Sequence, residues 1–345
     1  MGYYDGTKLL SLMDINGKKP EIYICTTNRT GGKTTYFNRL CINRFLNKHE
    51  KFCLIYRYKY ELDDIPNKFF KDIQSLFFPE HTMTNKSSGS GTFQELFLDN
   101  ISCGYAISLN SADMIKKYSH MFSDVTTMLF DEFQSETNHY CPDEVKKLMS
   151  VHTSIARGQG KQVRYVPVYM IGNPVSIVNP YYVELGITKR LSMNTKFLKG
   201  DGFVMEQGFN ETASLAQKES GFNRAFSKNK YLAYSSDNIY LNDNLAFVEK
   251  IEGKNRYICT IKCDGIEYAI REFYHDSIIY CDYSVDKSFP FKITVTTADF
   301  EKNYIMLQRN SNTLSTLRQF FEYGCFRFKD LKCKEAVLTI LNYNK

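Results

Sequence analysis

The chain contains no tryptophan, only 8 prolines in 345 residues, and no apolar run of the roughly 18 residues that a membrane-spanning helix needs. The missing apolar run argues against a helical membrane protein, and the scarcity of proline argues against a low-complexity or fibrous chain. No leader-like segment opens the sequence, and Gly2 lacks the downstream Ser or Thr of a myristoylation signal. Ten cysteines are scattered through it, yet no second Cys or His pair accompanies Cys259 and Cys263 at zinc spacing. Cys25, Cys53 and Cys281 lie inside apolar runs, where a reduced thiol acts as a small hydrophobe. Together these absences predict a reduced, cytosolic protein without a structural metal.

What is present suits a folded chain: 43% hydrophobic and 24% charged residues, with 25 Tyr and 26 Phe to build cores. The formal net charge of +6 permits a polyanionic partner without requiring one. At this length two domains are expected. Over residues 1–194, short apolar runs at 21–26, 52–57, 125–130 and 163–172 alternate with helical patterns at 34–47, 66–78 and 142–157. Residues 93–109 read as a hairpin turned at Asp99-Asn100, next to a flexible SSGSG tip at 87–91. Strands that are apolar throughout predict a parallel sheet covered on both faces. Residues 195–230 read as a linker or small helical lid. From 231 to 345 the texture changes to period-two alternation with tight turns, such as Cys263-Asp264-Gly265, followed by helices near 311–323 and 331–342. That is an antiparallel meander inside a second, α+β domain.

The segment CTTNRTGGKTTYF (25–37) stands between the first strand and the first helix and ends in the core of a phosphate-binding loop. Gly31, Gly32, Lys33, Thr34 and Thr35 are the candidates for holding a nucleotide's phosphates. The lysine would reach the outer phosphates and the Thr34 hydroxyl would bind Mg²⁺. Thr27 occupies the position where such loops carry their first glycine. A second motif, MLFDE (128–132), places Asp131 at a strand end for the metal and Glu132 beside it to polarise a water. Asn173 follows the strand at 166–171 and is a candidate for touching the γ-phosphate or that water. Arg29 lies inside the loop, where a guanidinium could neutralise phosphate charge. Arg157, at the end of a helix, is poorly placed for its own subunit's phosphates and suits a neighbour's.

With these residues the chain resembles the DNA packaging ATPases (DNA encapsidation proteins) of small podovirus-type bacteriophages. The likeness rests on the arginine-bearing loop, the stretch 43–62 with its strand followed by Arg57-Tyr58-Lys59, LFDEF (129–133) and GNPVSIVNPYY (172–182). The resemblance covers about 25–190. It implies an additional-strand (ASCE) P-loop NTPase domain, a linker, and a C-terminal RNase H-like domain without nuclease chemistry, related to large terminases. It also implies a pentameric ring on the procapsid portal, in the host cytoplasm, that drives double-stranded DNA inward at the expense of ATP with Mg²⁺. By the match, Glu132 is catalytic, Arg157 is a finger acting in trans, and Lys59 with either Lys116 or Lys117 falls near basic residues of regulation or nucleotide exchange. Some members dock through a packaging RNA, a point on which this sequence is silent.

Asp264, Glu267, Glu272, Asp276 and Asp282 form no pattern expected of a two-metal nuclease. A vestigial nuclease fold is therefore expected there, with Arg318, Arg327, Lys329, Lys332 and Lys334 as candidate phosphate contacts. The alternatives are a terminase-like motor with active nuclease, a helicase-type P-loop ATPase, and a P-loop enzyme acting on a small molecule.

Overall fold

A computed structural model of the chain describes residues 3–342 except 138, 178, 189, 192–194, 228, 238–246 and 308–310. The chain divides into two compact units, Met1–Asn242 and Asp243–Lys345.

The first unit opens with a short helix α1 (Thr7–Ser11), then β1 (Ile22–Thr26), α2 (Lys33–Lys48), β2 (Lys51–Tyr56) and α3 (Glu61–Phe77). Three antiparallel strands follow, β3 (Met83–Ser88), β4 (Phe93–Leu98) and β5 (Ile101–Ser108), then α4 (Ala112–Lys117), β6 (Val125–Asp131), α5 (Glu144–Ile155), β7 (Val168–Gly172) and α6 (Pro180–Glu184). The hairpin β8 (Phe197–Gly200) and β9 (Phe203–Gln207) leads into three helices, α7 (Glu211–Glu219), α8 (Gly221–Ala225) and α9 (Lys230–Asp237).

Nine of these strands form one sheet in the order β3-β4-β5-β2-β6-β7-β1-β9-β8, with the run from β5 to β9 parallel throughout. Its middle strands are apolar because each face is covered by its own cluster, one including Met128, Val151, Ile155 and Met170, the other Phe37, Ile42, Phe52 and Ile171. The decisive topological fact is β7. It lies between β1, which feeds the phosphate loop, and β6, which ends in the acidic pair. Cys25 of β1 and Asp131 of β6 both pair with Ile171 of β7, so the three strand ends reach the same level. Ligands of open α/β sheets bind at such carboxyl ends.

In the second unit, β10 (Arg256–Cys263), β11 (Ile266–Phe273) and β12 (Ile278–Asp282) form an antiparallel meander. The short β13 (Lys292–Thr294) and β14 (Ile305–Met306) add in parallel beyond β10. After α10 (Asn312–Glu322), β15 (Phe326–Phe328) pairs with β12 and α11 (Leu331–Asn342) covers the sheet. The sheet is thus a three-stranded meander with parallel strands added beyond β10 on one side and beyond β12 on the other.

Three stretches differ from the sequence reading. Residues 195–207, read as the start of a linker, form β8 and β9. The Asp201-Gly202 turn, with Gly202 at φ 72, was a hairpin signal. The first strand expected at 231–241 is instead the helix α9, and the remainder of that stretch lies outside the described residues. Ser235 and Ser236 turn their hydroxyls onto the Leu232 carbonyl at 3.1 and 2.7 Å, so the helix itself takes up polar side chains that an alternating pattern would turn to solvent. The 87–91 tip is the end of β3 and its turn into β4, and β3 is too polar for the pattern to reveal.

Candidate nucleotide site

The loop between β1 and α2 begins with polar, buried residues. Thr27 is 1% exposed and Asn28 fully buried. Thr30 at φ 62 and Gly32 at φ 90 take left-handed conformations, and Gly32 caps α2. Lys33, 7% exposed, extends Nζ to 2.6 Å from Asn173 Oδ1, so the end of β7 touches the loop lysine. Burial holds the Lys33 ammonium below its ordinary range, while Asp131 and Glu132 pull it back up. Asp131 is pushed up to about 6, mainly by burial, against the opposing attraction of Lys33 and the Thr34 hydroxyl. Glu132 follows in the left-handed region at φ 53, an uncommon place for a glutamate, and its N–H donates to Asp131 Oδ1 at 2.8 Å.

That turn is held from behind. Arg57, next after β2 and 8% exposed, donates to the Phe133 carbonyl at 2.7 Å and, more weakly, to the Glu132 carbonyl at 3.4 Å. Its Nε reaches both oxygens of Glu144, 3% exposed, at 3.1 and 2.9 Å. Glu144 also accepts from Tyr181 Oη and from the Cys141 N–H, each at 2.8 Å. Each member of the charge pair has further hydrogen-bond partners, which is the condition for carrying it inside a protein.

A cleft of about 520 Å³ opens among Arg29, Arg57, Glu132, Gln134, Glu136 and Asn173. A second, of about 170 Å³, is lined by Thr34, Asn38, Asp72, Asp131 and Glu132 among others. Arg29 is ion-paired with Glu136 and faces the Tyr231 ring at 5.5 Å.

The helices α7 and α9 grip the loop through Asn28, Arg29 and Thr30. Asn28 Nδ2 donates to the carbonyls of Asn210 and Ser236 at 3.0 and 3.3 Å, and its Oδ1 accepts from the Asn210 N–H at 2.8 Å. Gln217 Nε2 reaches the Arg29 carbonyl at 3.1 Å and Thr30 Oγ1 at 2.8 Å, and the Arg29 N–H donates to the Ser235 carbonyl at 3.0 Å. Side chains at these loop positions therefore tie the phosphate loop to the helices that follow the sheet.

The structure thus brings Gly31, Gly32, Lys33, Thr34, Thr35, Asp131, Glu132, Asn173 and Arg29 to one end of the sheet. Arg157 is exposed beyond the end of α5, donates to Ser119 Oγ at 2.8 Å, and lines neither cleft. Lys59, Lys116 and Lys117 are exposed, with Lys116 paired to Asp113 at 3.1 Å. In the second unit, Asp282 pairs with Arg271 at 3.3 Å, Glu272 pairs with Arg256, and Glu267 accepts from Tyr304. Among the described residues no group of three or more His, Cys, Asp or Glu could hold a metal ion. Two of the basic candidates are engaged internally: Arg327 pairs with Glu249, and Arg318 Nε donates to the Leu341 carbonyl at 3.0 Å. Arg57, Glu144, Gln134 and Asn210 were not singled out from the sequence. Arg57 stood inside the family-like Arg-Tyr-Lys, the one signal that could have marked it.

A phosphate loop on β1, an acidic pair on β6 and a polar strand end on the intervening β7 define an additional-strand P-loop NTPase domain. The chain belongs to the Podovirus DNA encapsidation protein (Gp16) family, whose model matches residues 2–344. The DNA packaging protein of Bacillus phage phi29 is 27% identical over 301 residues, 86% of this chain and 86% of that protein. That of Bacillus phage B103 is 26% identical over 303 residues, 86% of this chain and 89% of that protein. The fold is that of a chain in the bacteriophage Phi-29 genome packaging motor assembly, at a TM-score of 0.65 and 24% identity, covering 99% of this chain and 98% of that one. A chain of the Phi-28 gp11 DNA packaging motor superposes at a TM-score of 0.60 and 16% identity, covering 98% and 97%.

Proposed function

We propose that this chain is the ATP-hydrolysing subunit of a ring motor that moves double-stranded viral DNA into a preformed procapsid. The observation that carries the reading is the meeting of Lys33, Asp131, Glu132 and Asn173 at the ends of three adjacent strands. The oxygen donors of Thr34 and Asp131 suit the hard Mg²⁺ ion of a nucleotide complex, and a largely buried Lys33 with a neutral amide partner suits an anion. Mg²⁺ bound there supplies neutralisation of phosphate charge. The chain's own residues do the rest. The loop N–H groups and Lys33 hold the phosphates, and Glu132 takes the proton of the attacking water. Asn173 keeps Lys33 directed at the site.

An exposed Arg157 outside both clefts supports action in trans on a neighbouring subunit. Under this reading the partners are double-stranded DNA, the procapsid portal and further copies of the chain, in a pentamer assembled on the procapsid in the host cytoplasm. The helices α7–α9 act as a lid and linker. The second unit grips DNA or contacts the portal without cutting, which its internally paired carboxylates support.

The test is ATP turnover measured with and without procapsids and double-stranded DNA, together with nuclease protection of that DNA. ATP-dependent protection is the expected result. Turnover indifferent to both additions, with no protected DNA, would overturn the reading. Metal-dependent cleavage of the DNA that is lost in Asp282→Ala would favour an active nuclease instead.

A further inference from the structure

Gln134 lies three residues beyond Asp131 and is 3% exposed. Its side-chain oxygen is committed, because Oε1 accepts from the N–H groups of Val175 at 3.1 Å and Ser176 at 2.9 Å, just past Asn173. Two backbone donors on one atom fix which end of the amide is oxygen and which is nitrogen. The other end, Nε2, has no hydrogen-bond partner among the described residues. A buried amide donor left unmatched is costly, and such groups call for a ligand or a functional reason. Gln134 also lines the 520 Å³ cleft together with Glu132, Asn173 and Arg29.

We infer that Gln134 is a catalytic residue whose Nε2–H donates to a γ-phosphate oxygen of bound ATP. Gln134 has this role only if ATP is hydrolysed at this site, as proposed above. The water oxygen forms a bond to the γ-phosphorus, the bond to the β–γ bridging oxygen breaks, and its electron pair leaves on ADP while Glu132 receives the water's proton. Charge grows on the bridging oxygen, and the equatorial γ-oxygens remain anionic throughout. A buried N–H that meets one of those oxygens needs no reorganisation during the reaction. The amide cannot act as the water's acceptor, since its oxygen is already occupied by Val175 and Ser176. It therefore reads the presence of the γ-phosphate, and it does so from the segment joining the acidic strand end to the Asn173 loop.

The test compares the full-length wild type with Gln134→Glu, which retains an acceptor for both backbone N–H groups and removes the donor. Affinities for ADP and for AMP-PNP are measured alongside steady-state ATP turnover. ADP affinity within about twofold of wild type, an AMP-PNP to ADP affinity ratio lowered about tenfold or more from the wild-type value, and a fall in kcat on the order of 100-fold are expected. Turnover and nucleotide preference both unchanged would show that Gln134 merely holds the 175–176 turn, and would overturn the inference. Should that variant fail to bind ADP, Gln134→Met decides by the AMP-PNP to ADP affinity ratio. A ratio matching wild type overturns the inference and a collapsed ratio supports it. A wild type without ATP turnover would instead overturn the ATPase reading itself.

Discussion

Glu144→Gln removes a single charge from the network behind the acidic turn and changes almost nothing in shape. In the native protein Glu144 answers the Arg57 Nε at 3.1 and 2.9 Å, with both residues nearly inaccessible. The substitution leaves a buried guanidinium facing a neutral amide. Removing one partner of a buried ion pair costs about 3–5 kcal/mol. The lower end applies here, because the glutamine oxygen can still accept from Arg57 or Tyr181, and the Phe133 carbonyl at 2.7 Å remains. For a unit of this size the urea dependence lies near 3 kcal/mol per M, so the midpoint should fall by about 1 M. ATP turnover should fall as well, since Arg57 sets the backbone that carries Glu132. Adding Arg57→Met to Glu144→Gln should restore part of the lost stability, because a pair removed together leaves no orphan charge. A midpoint shift below about 0.3 M, which is about 1 kcal/mol, would refute the account of this pair. Additive losses in the double variant would refute it equally.

Glu132→Gln should retain nucleotide binding and lose turnover by about 100- to 10,000-fold, as read by ADP titration and phosphate release. Asn28→Ala should destabilise the first unit by about 1–3 kcal/mol, because it leaves the Asn210 N–H without its acceptor. Faster limited proteolysis within 209–237 would report the freed helices, and an unchanged melting temperature with unchanged proteolysis would refute the clasp. Burial pushes Cys25, Cys41, Cys103 and Cys259 up to about 12, and nine of the ten thiols are buried. Native labelling should therefore reach about one thiol, at Cys325, and stay there between about pH 7 and pH 9, while denatured chain labels at all ten. If Arg157 acts in trans, Arg157→Ala subunits mixed into wild-type rings should depress turnover more than their mole fraction. A strictly proportional decline would place the arginine's action within its own subunit.

Much of the first unit was legible because its information is local. Apolar runs that need cover on both faces, and the helices between them, follow from residue spacing. The phosphate loop and LFDEF announce themselves by composition and by their place after strands. The parts that were misread carry their reason elsewhere in the fold. The helix at 231–237 sets the Ser235 and Ser236 carbonyls against the Arg29 N–H and the Asn28 amide, contacts that no pattern along the chain can show. The polar β3 is a strand because β4 supplies its partner.

Thr27, Asn28 and Thr30 mark the division between the two kinds of information. By itself the sequence determined that a phosphate loop lies here, that it departs from the glycine-rich pattern, and that acidic and amide groups exist to serve it. Hydrogen-bond capacity and spacing along the chain suffice for that. Only the tertiary structure decided why the departure is tolerated. The Asn28 amide meets Asn210 and Ser236, about 180 and 208 residues away, and the loop is held by side chains where glycine would leave it loose. Contacts between residues so far apart have no period and no local signature, so they become visible only once the sheet has set β1 beside β7 and β9.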